Sequence, residues 1–520
     1  MSETTYKEQT KRFDEAAAAL VRADIDLIRC SKDLRAFERK RKIAAIVRDD
    51  LSGRGRFIRT RDDEIFFFDR ATRQLARLDD DEFRASIHHR FGLNPTEDET
   101  RFVAADLVNH AFTSGERVEA RSFAFFDRGS GCLFVDANKG QMFMLDGQRI
   151  TTVDNGQDRV LFQCDRRAEP IQPDWSSGDF DAFHELFAGL NLQGDPRRAL
   201  ALLKVWTIGL FFAELLPVRP LLLLVANQGA GKTSFARRVG CTLYGRDFEV
   251  SSFRNGTGEA DFLAAVSAKR LVVFDNADAR LPWLADHLAK LATGSEIERR
   301  KLYTTNTLVT YRPNCFLILT ARTTPWKQGR EDVVQRLLPI HLATIEGVKL
   351  PEQRLRQVIL DARPRIWAAL LHILNEIVGA LRMQPDSETS HHRLADFHVF
   401  GRVAARVLGI EKDFEEAMAA LNVEQFGLLA QGDERFELFG TWVRTISNGR
   451  TVETTARQLY GQLQSLFTGR DQGFPFPSAT ALGTWIGINR KVLETCHGIH
   501  ITSSHGRREN TWFFEKALPE

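Results

Sequence analysis

A run of apolar residues, Leu221-Leu222-Leu223-Leu224-Val225, stops abruptly at Ala226-Asn227-Gln228-Gly229-Ala230-Gly231-Lys232-Thr233-Ser234. A chain carrying this stretch is committed to a buried parallel strand, a glycine-rich turn and a helix, in that order. Gly229 and Gly231 let backbone N–H groups close around phosphate oxygens, Lys232 supplies a point charge, and Thr233 offers a hydroxyl to magnesium. Ser234 to Val239 read as a helix whose positive N-terminal end faces the same anion. Asn227 through Ser234 are therefore the candidate nucleotide-binding residues. The pattern GxxxxGK[ST] departs at Ala226, where glycine is usual, and alanine can turn there if φ stays negative. A glycine-rich turn between strand and helix also occurs without a nucleotide, so the surrounding residues decide.

Those residues continue the theme. A second strand, Leu271 to Phe274, delivers Asp275 at its C-terminal end, the edge of a parallel sheet where ligands sit. A carboxylate there can hold magnesium beside Thr233. A third strand, Phe316 to Leu319, ends in Thr320, which can orient the attacking water or touch the γ-phosphate. Arg330 and Arg336 follow within GREDVVQRLLPI. An arginine there commonly reaches into a neighbouring subunit's nucleotide and contributes on the order of 10³ to 10⁵ in rate. The alternative for either is a surface ion pair with Glu331 or Asp332.

The segment VVFDNADARLPWLADHLAKLATGSEIERRKLYTTN, with REDVVQRLL close behind, resembles the ATPase core of phage, plasmid and mobile-element primase-helicases of helicase superfamily 3, within the AAA+ group. It is similar also to the bacterial ATP-binding proteins of that branch. The likeness extends through VDNGQDRVLF before the core and HRLADFHVFGRVAARVLG after it. The resemblance implies that Lys232 and Thr233 bind phosphate and magnesium, that Asp275 binds the metal, that Thr320 is sensor 1, and that Arg330 or Arg336 is the finger. ATP and Mg2+ are the implied cofactors. Where many AAA+ enzymes carry a glutamate after the metal-binding aspartate, this chain has Asn276; an amide orients water but cannot take its proton, so turnover is slow or Asp278 serves instead. Thr320 stands where asparagine is common in this branch.

Between the second and third strands, Arg299-Arg300-Lys301-Leu302-Tyr303, a polar turn and Leu308 to Tyr311 form a hairpin signal that resembles the pre-sensor hairpin lining superfamily-3 rings. Clustered cations beside a ring suit a nucleic-acid backbone. The family usually projects a basic residue at the tip, whereas this tip is Thr305-Asn306, which leaves nucleotide or neighbouring-subunit contacts as the alternative.

Length, 520 residues, suggests about three domains. With a net charge of +2, 27% charged and 43% hydrophobic residues, bulk charge does not make this chain a polyanion binder, so any nucleic-acid surface is local. Six dispersed cysteines with no CxxC pair argue against structural zinc and a disulfide scaffold and fit a reducing cytoplasm. The polar N-terminus is no signal peptide, and Ile208 to Ala226 is cut by Glu214, Pro217, Arg219 and Pro220, so no membrane span is expected.

The expected fold is an α/β AAA+ phosphate-loop ATPase core with a parallel sheet, plus an N-terminal α+β accessory domain, a helical lid and a C-terminal winged helix. In order these are a helical arm over 1–50, the accessory domain over 51–165, a linker over 166–194, the core over 195–345, the lid over 346–430 and the winged helix over 431–520. The arm carries Arg39 to Lys42, a solvated face or a DNA or partner contact. The accessory domain reads as hairpins turned at Asp127 to Gly129, Asn138 to Gly140 and Asn155-Gly156, with helices near Asp81 to Phe91 and Glu97 to Thr113. Its Asp62, Asp63, Glu64 and Asp69 read as turn formers rather than a metal cluster. His391 and His392 read as solvated, not metal-bound.

In the last segment, helices over Thr455 to Phe467, Ser478 to Ile486 and Asn489 to Cys496 precede a hairpin turned at His505 to Arg508. Arg490, Lys491, Arg507 and Arg508 fall on the elements that touch DNA in a winged helix; the alternative is a protein-binding winged helix. The functional expectation is a ring, taken as a hexamer, that moves along or unwinds DNA at the cost of ATP, with a replication or defence protein as a further partner. A competing expectation is a nucleic-acid-sensing ATP switch that oligomerises and recruits a partner without unwinding. A third is nucleotide binding without hydrolysis.

Overall fold

The computed structural model describes residues 3–520 except 164, 166, 178, 253–257, 278–280, 301–307, 312–314, 324–329, 346–350, 384–388, 431–432, 468–472, 506–509 and 517–520. Two compact units emerge: Met1–Phe180 with Leu243–Asp247 and Leu360–Arg382, and Asp181–Thr242 with Phe248–Ile359 and Met383–Glu520. Among the described residues no helix is long and apolar enough to cross a membrane.

The first unit opens with helices Glu3–Cys30 and Ala36–Arg54, and the second of these leads directly into Gly55–Arg59. That strand pairs antiparallel with Ile65–Asp69, which pairs with Gln74–Arg77. Helices Asp81–Phe91 and Asp98–Ser114 cover this sheet, and Val47, Phe57, Phe67, Phe83, Phe91 and Leu107 close a shared core. The acidic residues here behave as turn and pairing groups. Asp69 accepts from the N–H groups of Ala71 and Thr72 at 2.8 and 3.0 Å, Asp63 pairs with Arg59, and Glu64 pairs with Arg77.

A four-stranded meander follows, Ala124–Asp127, Cys132–Asn138, Gln141–Leu145 and Ile150–Asp154. Its second turn places Lys139 and Gly140, between the paired Asn138 and Gln141, at φ 57 and 81, the left-handed region that two-residue hairpin turns require. Helix Glu352–Arg382 begins twelve residues before Pro364, so the proline lies inside it. Residues 360–382, expected in the lid segment, thus belong to the first compact unit, where Arg363 donates to the carbonyls of Glu169 and Pro170.

The second unit holds a five-stranded parallel sheet. Its strands are β1 (Leu221–Val225), β2 (Ser251–Ser252), β3 (Leu271–Asp275), β4 (Phe316–Ala321) and β5 (Leu337–His341), in the order β2-β3-β4-β1-β5. Leu222 lies opposite Ile318 and Leu338, and Val273 opposite Ile318. The central strands are buried on both faces, which is why they are nearly unbroken apolar runs. Helices Glu259–Ala268 and Leu284–Ala292 pack on the sheet through Phe262, Val266, Leu284 and Leu288.

The stretch expected as a linker is partly packed. It contains the 3-10 helix Phe180–Phe187, in which Phe183 and Leu186 are fully buried. Turn-forming composition around it conceals the three-residue apolar repeat. Near the C-terminus, helices Glu434–Arg444, Ala456–Leu466 and Ala479–His497 share a core with a three-stranded sheet of Thr451–Thr455, Asn510–Lys516 and Ile499–His505. The two short helices expected over 478–496 are one helix. Gly487 disfavours it by about 1 kcal/mol, but burial of Leu482, Trp485, Ile486, Val492 and Leu493 outweighs that.

Candidate nucleotide site

The chain leaves β1 at Val225 and enters helix Lys232–Tyr244 after six intervening residues. Gly229 and Gly231 sit at φ 84 and 81, where an L side chain is strained and glycine is not. The turn and the helix start surround a cavity of about 470 Å³ lined by Asn227, Gln228, Gly229, Ala230, Gly231, Lys232, Thr233, Ser234, Asn276 and Arg322. All eight residues expected to bind nucleotide line this one cavity. The Lys232 ammonium donates to the carbonyls of Ala226 and Asn227, the latter at 3.2 Å.

Adjacent strand ends bring the remaining groups together. Thr233 Oγ1 donates to Asp275 Oδ1 at 2.9 Å. The Thr320 hydroxyl also donates to Asp275 Oδ1 and accepts from the Asn276 N–H, the latter at 3.1 Å. Thr320 is fully buried and is not among the lining residues, so its hydroxyl faces Asp275 rather than the cavity. Asn276 has φ 56 and lines the cavity. Hard oxygen donors from one hydroxyl and one carboxylate suit Mg2+, which keeps waters and phosphate oxygens as its other ligands. Among the described residues no group of three or more His, Cys, Asp or Glu side chains is arranged to hold a metal by itself.

The two arginine candidates lie elsewhere. Arg330 pairs with Asp286 at 2.5 Å rather than with its sequence neighbours. Arg336 donates to the Asp332 carbonyl, and burial, with Arg393 nearby, holds its guanidinium below the usual arginine range. The Arg336 carbonyl accepts from the Leu221 N–H at 2.9 Å, so this residue stands at the N-terminal edge of the sheet, opposite the glycine-rich loop.

Of the residues expected at nucleic acid, Arg299 and Arg300 fall on Ile297–Arg300, which pairs antiparallel with Leu308–Tyr311. Their side chains, together with Lys301, Tyr303, Arg507, Arg508 and Asp278, lie outside the described residues. Arg490 pairs with Glu494 at 3.2 Å, and the Lys491 ammonium stands 5.9 Å from the centre of the Phe426 ring. One lining residue had no counterpart in the sequence reading. Arg322 follows β4 by one position, and the available signal was its spacing of two from Thr320.

No curated protein matches this chain. SCCmec type IV Cch, described as an active helicase, is 12% identical, with 87% of this chain and 90% of that one covered and a TM-score of 0.43. The apo structure of the NrS-1 C-terminal region (305-718) is 12% identical, with 90% and 98% covered and a TM-score of 0.40. The family model of the actinomycete integrative conjugative element replication protein matches residues 186–422, somewhat under half of the sequence and including the glycine-rich loop and all five parallel strands. In that span the chain is similar to replication proteins of conjugative elements.

Proposed function

We propose that this protein is an ATP-dependent DNA helicase or translocase of the superfamily-3, AAA+ type, acting in replication of mobile-element DNA. One observation carries the reading. The hydroxyl of Thr233 and the carboxylate of Asp275 meet at 2.9 Å on the ligand edge of a parallel sheet, beside a glycine loop whose Lys232 lines one cavity with Thr233. The strand order β2-β3-β4-β1-β5 and the similarity of residues 186–422 to replication proteins support it.

In this reading the loop N–H groups and Lys232 grip the inner phosphates, and Thr233 and Asp275 hold Mg2+, which when bound neutralises phosphate charge. Asn276 orients water, and Thr320 fixes the Asp275 carboxylate. Arg330 or Arg336 of a neighbouring copy completes the site in a hexameric ring. The hairpin residues Arg299, Arg300, Lys301 and Tyr303 meet DNA, as do Arg490, Lys491, Arg507 and Arg508 of a winged helix over 431–520, with a helical lid between it and the core.

Purified protein with Lys232→Ala should lose DNA-stimulated phosphate release by about 100-fold or more, the scale of one charged transition-state contact. Undiminished turnover in that variant removes the proposal. The second reading, an ATP switch that recruits a partner, is favoured by Asn276, because among the described residues the cavity lining contains no carboxylate to take a proton from water. A forked duplex separates the two: a motor releases the strand, and a switch binds without releasing it.

A further inference from the structure

We propose that Arg322 reads the terminal phosphate of the bound nucleotide and so makes the site prefer a triphosphate over a diphosphate; this rests on the nucleotide reading above. The argument starts at Thr320, the residue whose place on β4 suggests that task. Its side chain is fully buried, and its single proton is given to Asp275 while its oxygen accepts from the Asn276 N–H. A hydroxyl has one proton to donate, so Thr320 has none left for a phosphate oxygen.

Side chains two apart along a strand project to the same side. The next residue on the Thr320 side is Arg322, one step beyond the end of β4 and exposed. Register brings it to the loop. Ala321 lies opposite Val225, and the Ala226 N–H donates to the Ala321 carbonyl at 3.1 Å, so Arg322 stands level with the first loop residues. Its side chain lines the cavity that Lys232, Thr233 and Asn276 also line.

Among the described residues the lining thus holds two cations, Lys232 and Arg322, and no carboxylate. Lys232 is a point charge at the start of the helix, where the inner phosphates dock. A guanidinium presents a planar fork that binds two oxygens of one phosphate. The outermost phosphate, with the most unshared oxygens, is the group that such a fork suits, and a diphosphate lacks it.

The test is a titration of full-length protein with Mg2+ and fluorescent ADP or a fluorescent non-hydrolysable ATP analogue. The unmodified chain should bind the triphosphate more tightly. Arg322→Ala should weaken triphosphate binding by about 10- to 100-fold, the scale of a charge-assisted hydrogen bond, while ADP affinity stays within about twofold. Arg322→Lys should retain part of the preference, since a point charge replaces the fork. An unchanged preference in Arg322→Ala, or equal weakening of both nucleotides, overturns the assignment while leaving the nucleotide site intact. Failure of the unmodified chain to bind either nucleotide removes both readings.

Discussion

Asn276 shows how one backbone angle chooses a side chain. At φ 56 it occupies the left-handed region, which asparagine and aspartate enter more readily than longer residues. A glutamate here would meet a penalty of about 1 kcal/mol, so the departure from the usual acid fits the turn. Asn276→Asp keeps the length and restores a proton acceptor. It should raise steady-state phosphate release at saturating ATP by about 10-fold or more, given typical general-base contributions, and a fall in that rate would show that water activation is not what limits turnover. Lys232, Thr233 and Asp275 were legible in the sequence because their spacing at strand ends is itself the signal. Arg322 was not, because its relation to the loop comes from the pairing of Ala321 with Val225, a contact between residues nearly a hundred positions apart.

Within single elements, glycines and one partly buried acid give the sharpest expectations. In helix Ala479–His497 a Cβ at Gly487 would meet, among the described residues, only Trp512 Cη2, at 3.9 Å. Gly487→Ala should stabilise the protein by about 0.5–1 kcal/mol, read as a higher melting midpoint. The two helices expected over 478–496 divide at that glycine, since local propensity is visible in a sequence and the buried face is not. Gly240 behaves oppositely. It lies in helix Lys232–Tyr244, where a Cβ would run into the Phe248 ring, so Gly240→Ala should destabilise by about 1–3 kcal/mol.

In strand Cys132–Asn138, burial pushes the Asp136 carboxyl up to about 7, with Asp165 adding to the rise and the Asn138 N–H opposing it. The folded chain then holds a proton that the unfolded chain releases at ordinary acid pH. The contribution to stability is full below the ordinary carboxylate range and is lost as pH rises to about 7. Asp136→Asn should therefore gain in melting temperature over the unmodified chain as pH goes from 4 to 8. A gap that does not widen over that range would contradict the shifted carboxyl.

At the scale of the whole molecule, the core sheet followed from its apolar runs, but the compact units did not follow from composition. Phe183 and Leu186 are buried in a stretch whose neighbours look like linker, and residues 360–382 return to the first unit through contacts that no local pattern announces. The proposed assembly is tested by mixing. Lys232→Ala and Arg336→Ala proteins, each inactive alone, should recover a measurable part of the ATPase when combined, because some interfaces then carry an intact loop facing an intact arginine. The same experiment with Arg330→Ala identifies which guanidinium is used, and no recovery with either variant contradicts a shared site.

If Arg336 is the guanidinium that the proposed assembly uses, it also sets a minimum on how many molecules can act. Its carbonyl is bonded at the start of β1, and the five residues of that strand span about 16 Å before the loop begins. That is more than twice the reach of an arginine side chain, so any phosphate it serves belongs to another molecule. An isolated copy would then hold fuel without the means to burn it, and a cell with few copies would have an idle engine.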